Sequence, residues 1–220
     1  MRGFAAAEGS KPYRLPCLVL RRREDAKRRV AFARKELRTH QTARGTLFSD
    51  EKMFVAERRR HAWVHDGLER PREKPCCRLR VWGVIGVGFK MLVIVRGHLN
   101  STEYVKQVCV PFAKEYHKKK RTDRFMQDGA RCHTAQNTTR FLTNKKIPLL
   151  EEWPPRSPHL NPIETLWAAI QRQVSGREPM DAKQLEEFVF DEWDKFDQKS
   201  IDRYVMSYNG RLKKALVEKE

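Results

Sequence analysis

Residues 124–167 read RFMQDGARCHTAQNTTRFLTNKKIPLLEEWPPRSPHLNPIETLW. The run 124–128 is a short strand that ends on Asp128 ahead of the turn Gly129-Ala130. Residues 134–144 follow with helical character, and 148–153 return as a strand. Residues 154–158 form a rigid proline-rich loop. Asn161-Pro162-Ile163-Glu164 has the composition of a helix start, with a capping residue, proline at the first position and an acid at the third. That helix is expected to run through Gln173, with Ile163, Leu166, Trp167 and Ile170 on its buried face.

Upstream, TLFSDEKMFV (46–55) reads as a strand and 61–65 as a possible second one. Residues 68–76 are rich in proline and charge and form a loop. Residues 79–87 and 91–95 form two strands joined by a turn at 88–90. A helix capped by Ser101 extends to about residue 117, where Lys118-Lys119-Lys120-Arg121 suits its C-terminal end and also resembles a nuclear import patch. Residues 181–218 hold two or three further helices. A meander of strands followed by alternating helices and strands predicts an α/β fold, with a mixed five-stranded sheet flanked by helices.

The 220 residues suit a single domain, 46–220, preceded by an arm, 1–45; the helices of 176–220 belong to the same domain. The net charge is +18, which points to a polyanionic partner, most commonly nucleic acid. Half of that excess lies in residues 1–45, where 13 Lys and Arg face 4 acids. The helix predicted over 21–38 carries much of it, with Val30, Ala33 and Leu37 on one face. Five cysteines without a C-x-x-C pair argue against a disulfide framework. Cys132-His133 with Cys76-Cys77 fits zinc spacings poorly. Glycines 83, 86 and 88 lie within a strand and its turn, not in a dinucleotide fingerprint. The most apolar run, 81–95, is interrupted by those glycines and by Lys90, and falls short of the ~20 residues that span a bilayer. No membrane association is expected.

Three acids fall where an α/β sheet gathers a site: Asp50 within the first strand, Asp128 at the end of the fourth, and Glu164 in the first turn of a helix. Converging carboxylates repel one another, and divalent cations with a taste for oxygen relieve that repulsion. Two such ions ~3.5–4 Å apart support in-line displacement at phosphorus. Each acid also has a purely structural role open to it: Asp50 as a surface acid, Asp128 as a turn former and Glu164 as a cap. Side-chain alternation sends Asp50 and Glu51 to opposite faces, so at most one of them points into a given site.

TLFSDEKMF, FMQDGARCHTAQNTTRFL and LLEEWPPRSPHLNPIETLW together resemble the Tc/mariner superfamily of DDE transposases, with VWGVIGVG and GHLNSTEYV resembling the family's middle strands and helix. The resemblance covers roughly residues 21–205. It implies an RNase H-like fold and a catalytic, metal-binding triad of Asp50, Asp128 and Glu164. Two Mg²⁺ or Mn²⁺ ions are the implied cofactor. The implied reaction is hydrolysis at transposon ends followed by strand transfer into target DNA, in the nucleus, by a homodimer assembled on DNA. A catalytically idle DNA-binding remnant of transposase origin is the alternative.

In three respects the sequence departs from the family pattern. Between Asp128 and Glu164 lie 35 residues, one more than is usual, an excess that residues 144–148 can absorb. His159 stands where the family usually has Asp. The paired helix-turn-helix domains that usually precede the basic linker have no counterpart, so a catalytic domain lacking them is expected. His133 is a candidate for orienting substrate or Asp128. Arg21, Arg22, Arg23, Lys27 and Arg28 in the arm, with Arg131, Arg156 and Arg172 near the acids, are candidate phosphate contacts. Trp153, Trp167 and Trp193 read as core residues.

Overall fold

The computed structural model describes residues 23–38, 43–56 and 77–217. The possible strand at 61–65, the loop at 68–76 and Arg21 and Arg22 lie outside them. Helix α1 (Arg23–Arg38) leads through a 3-10 turn into β1 (Thr46–Ala56), which pairs antiparallel with β2 (Cys77–Gly86). A tight turn at Gly88 (φ 68°), which lacks the Cβ that would strain this conformation, returns the chain as β3 (Phe89–Val95). Strand β4 (Arg124–Met126) lies parallel to β1 on its other edge, so the sheet order is β3-β2-β1-β4.

The five-stranded expectation is corrected to four. Residues 148–153 make only one parallel bridge to β4, at Leu149 opposite Phe125. The Phe125 N–H donates to the Pro148 carbonyl (2.7 Å) and the Leu150 N–H to the Phe125 carbonyl (2.9 Å). The chain then turns at Glu151-Glu152, with Glu152 at φ 59°, and no ladder can propagate.

Helices cover both faces. Helix α2 (Ser101–Tyr104), a π-helical turn (Val105–Cys109) and α3 (Val110–Lys118) run on continuously and pack on one face. Their N-cap is Asn100, not Ser101: the Asn100 side chain accepts from the Glu103 N–H at 2.9 Å. Phe112 anchors this side against Trp82 and Phe125 of the sheet. On the same side, the helix expected over 134–144 is two pieces, α4 (Arg131–Thr134) and α5 (Gln136–Asn144), divided by an extended Ala135. The opposite face is covered by α6 (Ile163–Gly176), α7 (Ala182–Lys195), α8 (Gln198–Met206) and α9 (Tyr208–Val217), the last three of which lie within residues 181–218, where two or three helices were expected. Trp167 and Trp193 are buried there and stack at 5.6 Å, while Trp153 is half-buried against Phe32.

Helix α1 lies against α9. Its acids turn inward: Asp25 and Glu36 are each 4% exposed. Glu36 receives a two-pronged hydrogen bond from Arg124 of β4 (3.1 and 2.9 Å), and Asp25 pairs with Arg156 of the proline-rich loop. Lys27, Arg28 and Arg34 stay exposed, so the outer face of α1 is more basic than its sequence average. Among the described residues no helix is long and apolar enough to cross a membrane.

Candidate active site

The site grows from the alternation of β1. Phe48, Phe54 and Ala56 enter the core beneath α6 and α7, whereas Leu47 enters the core beneath α3. Asp50 therefore projects on the α6 side and Glu51 on the α3 side, the divergence expected from the sequence. Asp50 pairs with Gly83 of β2. A Cβ at Gly83 would lie 2.5 Å from Cη2 of Trp167, so glycine is what lets α6 approach the sheet this closely. Glu164, in the first turn of α6, is carried to the Asp50 end of β1 by that approach.

Asn161 fixes where α6 begins. Its Nδ2 donates to the carbonyl of Ser49, next to Asp50 (3.0 Å), and its Oδ1 accepts from the Ile163 N–H (3.3 Å). Ser49 Oγ in turn donates to the carbonyl of Met126, the last residue of β4 (2.7 Å). Two short bonds on neighbouring atoms of β1 thus tether both the α6 start and the end of β4, from which Asp128 follows two residues later.

Electrostatics register the gathering of acids. Burial, then the charges of Glu164, Glu51 and Asp128, push the Asp50 carboxyl up to about 8. Burial also raises Glu164, with Lys52 and Arg211 opposing it. Arg211 is pinned by bonds to the His159 carbonyl (2.8 Å) and Thr165 Oγ1 (2.6 Å), which hold its guanidinium near Glu164. Asp128 differs: the hydrogen bond from His133 holds it below the usual carboxylate range. As the side chains stand, no three His, Cys, Asp or Glu among the described residues converge closely enough to ligate one ion. The donor chemistry nevertheless fits a hard divalent cation: Asp50 and Glu164 are crowded, partly desolvated carboxylates, and Asp128 stands 55% exposed beside them.

His133 is 2% exposed and lies between two acids. Its Nδ1 is 2.7 Å from Asp128 Oδ1 and its Nε2 is 2.9 Å from Glu51 Oε1. Burial would lower its pKa, but bonds to Asp128, Cys132 and Glu51 outweigh burial and raise it, so the ring is an imidazolium donating at both nitrogens. The ring rests on Tyr104, centroids 4.5 Å apart. Sequence reasoning placed His133 near Asp128 but left out Glu51, whose only signal was adjacency to Asp50. It also missed Arg211, far along the chain, and read Asn161 as a cap without its bond to β1.

The candidate phosphate contacts diverge. Arg23 opens α1; Lys27 and Arg28 are exposed on it, and Arg131 and Arg172 are exposed at the start of α4 and along α6. Arg156 is instead committed to Asp25, Nε to Oδ2 at 2.7 Å, and serves to fasten α1. Cys109 and Cys132 are free thiols.

A three-strand meander extended by a parallel fourth strand, helices on both faces, and acids on β1, beyond β4 and on α6 make up an RNase H-like fold. The family model described as DDE superfamily endonuclease matches residues 45–186. The Tc3 transposase of Caenorhabditis elegans is 30% identical over 197 residues, covering 84% of this chain and 59% of that protein. The Mos1 transposase catalytic domain, solved with raltegravir and Mg, superposes with a TM-score of 0.71 at 15% identity, covering 89% of this chain and 95% of that one. The Mos1 strand transfer complex superposes with a TM-score of 0.68 at 20% identity, covering 98% of this chain and 65% of that one. The chain belongs to the DDE superfamily endonucleases. It spans 59% of the length of Tc3 transposase.

Proposed function

We propose that this chain is the catalytic domain of a cut-and-paste transposase, which hydrolyses phosphodiester bonds at transposon ends and joins the freed ends to target DNA. The observation that carries the reading is the gathering of Asp50 and Glu164 on one side of β1, with Asp128 near enough for its charge to be felt; burial first, and then these neighbouring charges, push the Asp50 carboxyl up to about 8. Asp50, Asp128 and Glu164 would hold Mg²⁺ or Mn²⁺, two ions in the full site, in keeping with Mos1, whose catalytic domain has been solved with each metal. When bound, the ions supply charge for the attacking and leaving oxygens of an in-line displacement.

The protein's own residues prepare that chemistry. Asn161 and Ser49 set the spacing of the acids, and Arg211 and Lys52 temper the charge of Glu164. Exposed Lys27 and Arg28 on α1, with Arg131 and Arg172, would grip the DNA backbone without reading sequence. Assembly as a homodimer on paired DNA ends, in the nucleus, completes the proposal; the exposed cations Lys118, Lys119 and Lys120 supply an import signal.

The test is cleavage and joining with oligonucleotides that bear free 3′-hydroxyls, mixed with supercoiled plasmid in Mg²⁺ or Mn²⁺. Metal-dependent nicking and joining are expected, with Asp128→Ala losing both while still binding DNA. DNA binding with no metal-dependent cleavage in either ion would identify an idle remnant instead.

A further inference from the structure

Glu51 is an acid on the wrong face of β1 for ligating with Asp50, and the triad leaves it without a task. It is nonetheless built into the site. Glu51 Oε1 and Asp128 Oδ1 occupy the two nitrogens of His133, at 2.9 and 2.7 Å. The imidazole is buried and braced by Tyr104. Tyr104 Oη donates to Gln127 Oε1 (3.1 Å), and Gln127 Nε2 donates to the His133 carbonyl (3.3 Å), so the turn joining Asp128 to His133 is closed from both ends. The Ala130 N–H also donates to Asp128 Oδ1 (3.0 Å). Every hydrogen bond to the Asp128 side chain therefore falls on one oxygen, and among the described residues Oδ2 accepts none.

We propose that Glu51 and His133 are positioning residues: Glu51 orients the imidazole, and the imidazole and Ala130 hold Oδ1 so that Oδ2 of Asp128 is presented to the metal. The proposal rests on Asp128 being a ligand and adds how its carboxylate is aimed. A histidine whose far nitrogen is fixed by a carboxylate has one ring orientation, and such outer contacts typically govern metal affinity by 10–100-fold. A carboxylate with one oxygen already committed loses less rotational freedom on binding an ion than a free one does. Neighbouring acids on one strand would then serve the same site from opposite faces of the sheet, Asp50 directly and Glu51 through two intermediaries.

The measurement is Mn²⁺ affinity of the whole chain without DNA, by titration calorimetry, with the melting temperature of each variant recorded alongside. His133→Ala and Glu51→Ala are expected to weaken Mn²⁺ binding roughly 10–100-fold. His133→Asn, whose amide N–H takes the place of Nδ1, should recover most of the loss. In the His133→Asn background Glu51→Ala should change little, because the imidazole it orients is gone. Cleavage by the alanine variants should recover as Mn²⁺ is raised, a KM effect that a merely destabilised protein would not show. If His133→Ala does not fold, the Glu51→Ala and His133→Asn pair decides alone. Unchanged Mn²⁺ affinity in Glu51→Ala, with affinity lost in Asp128→Ala, overturns the positioning role and leaves the site standing. Unchanged affinity in Asp128→Ala removes Asp128 as a ligand and overturns both.

Discussion

The two sides of β1 at residues 50 and 51 treat a carboxylate in opposite ways. On the α6 side Asp50 and Glu164 are desolvated and close in charge, and the pKa of each is raised. On the α3 side Glu51 and Asp128 share a buried imidazolium, and Asp128 is held low. On one side burial and neighbouring charge make a carboxyl hard to ionise; on the other a single buried histidine is shared between two carboxylates. The difference shows where the fold has left work for a cation and where it has already supplied one.

The largest expected break in that contrast is catalytic. Asp50→Asn or Glu164→Gln should lower cleavage on the order of 10³-fold, about 4 kcal/mol in the barrier. Glu51→Gln, which keeps an acceptor for His133, should cost less than about 10-fold; plasmid-nicking rates in Mg²⁺ compare them directly. Equal losses at Asp50 and Glu51 would erase the distinction between the two sides.

Packing on the α6 side offers the next test. Gly83→Val would force Trp167 off the sheet, and overpacking of this kind costs ~1–3 kcal/mol. Thermal unfolding should shift down by roughly 2–4 °C per kcal/mol for a chain of this size. Cleavage should fall further than the melting shift alone explains, because Glu164 rides on the same helix.

The smallest effect separates the sides by sign. A carboxyl whose folded pKa is raised contributes stability that is complete below its unfolded value near 4 and lost as pH rises through its folded value, here about 8. Asp50→Asn should therefore raise the metal-free melting temperature above pH 8, by a few degrees, and leave it unchanged near pH 4. Asp128 is the reverse: its contribution is present above the unfolded value and lost as pH falls through the lowered folded one. Asp128→Asn should lower the melting temperature at neutral pH, with the gap closing in acid. Melting curves at several pH values, without divalent metal, decide both.

Much of this was legible in the sequence because local chemistry announced it. The alternation of β1 sent Asp50 and Glu51 apart as expected, and the Ile163, Leu166, Trp167, Ile170 stripe is the buried face of α6. The fifth strand failed because residues 148–150 have the composition of a strand, yet the chain makes a single bridge at Leu149 and then turns at Glu152, at φ 59°. Arg156 looked like a free cation near the acids; its partner Asp25 lies on α1, too distant in sequence for any local rule to pair them. Glu51 was visible as a residue and invisible as a participant, since only the folded turn at 127–133 brings His133 against it.

The bond from Asn161 to the Ser49 carbonyl has a consequence for how such chains vary over generations. Glu164 is located by an attachment three residues ahead of it, not by the length of polypeptide paid out from Asp128. Insertions or deletions upstream of that attachment can be taken up as slack in the surface loops. In this chain the asparagine, more than the interval, sets where Glu164 falls.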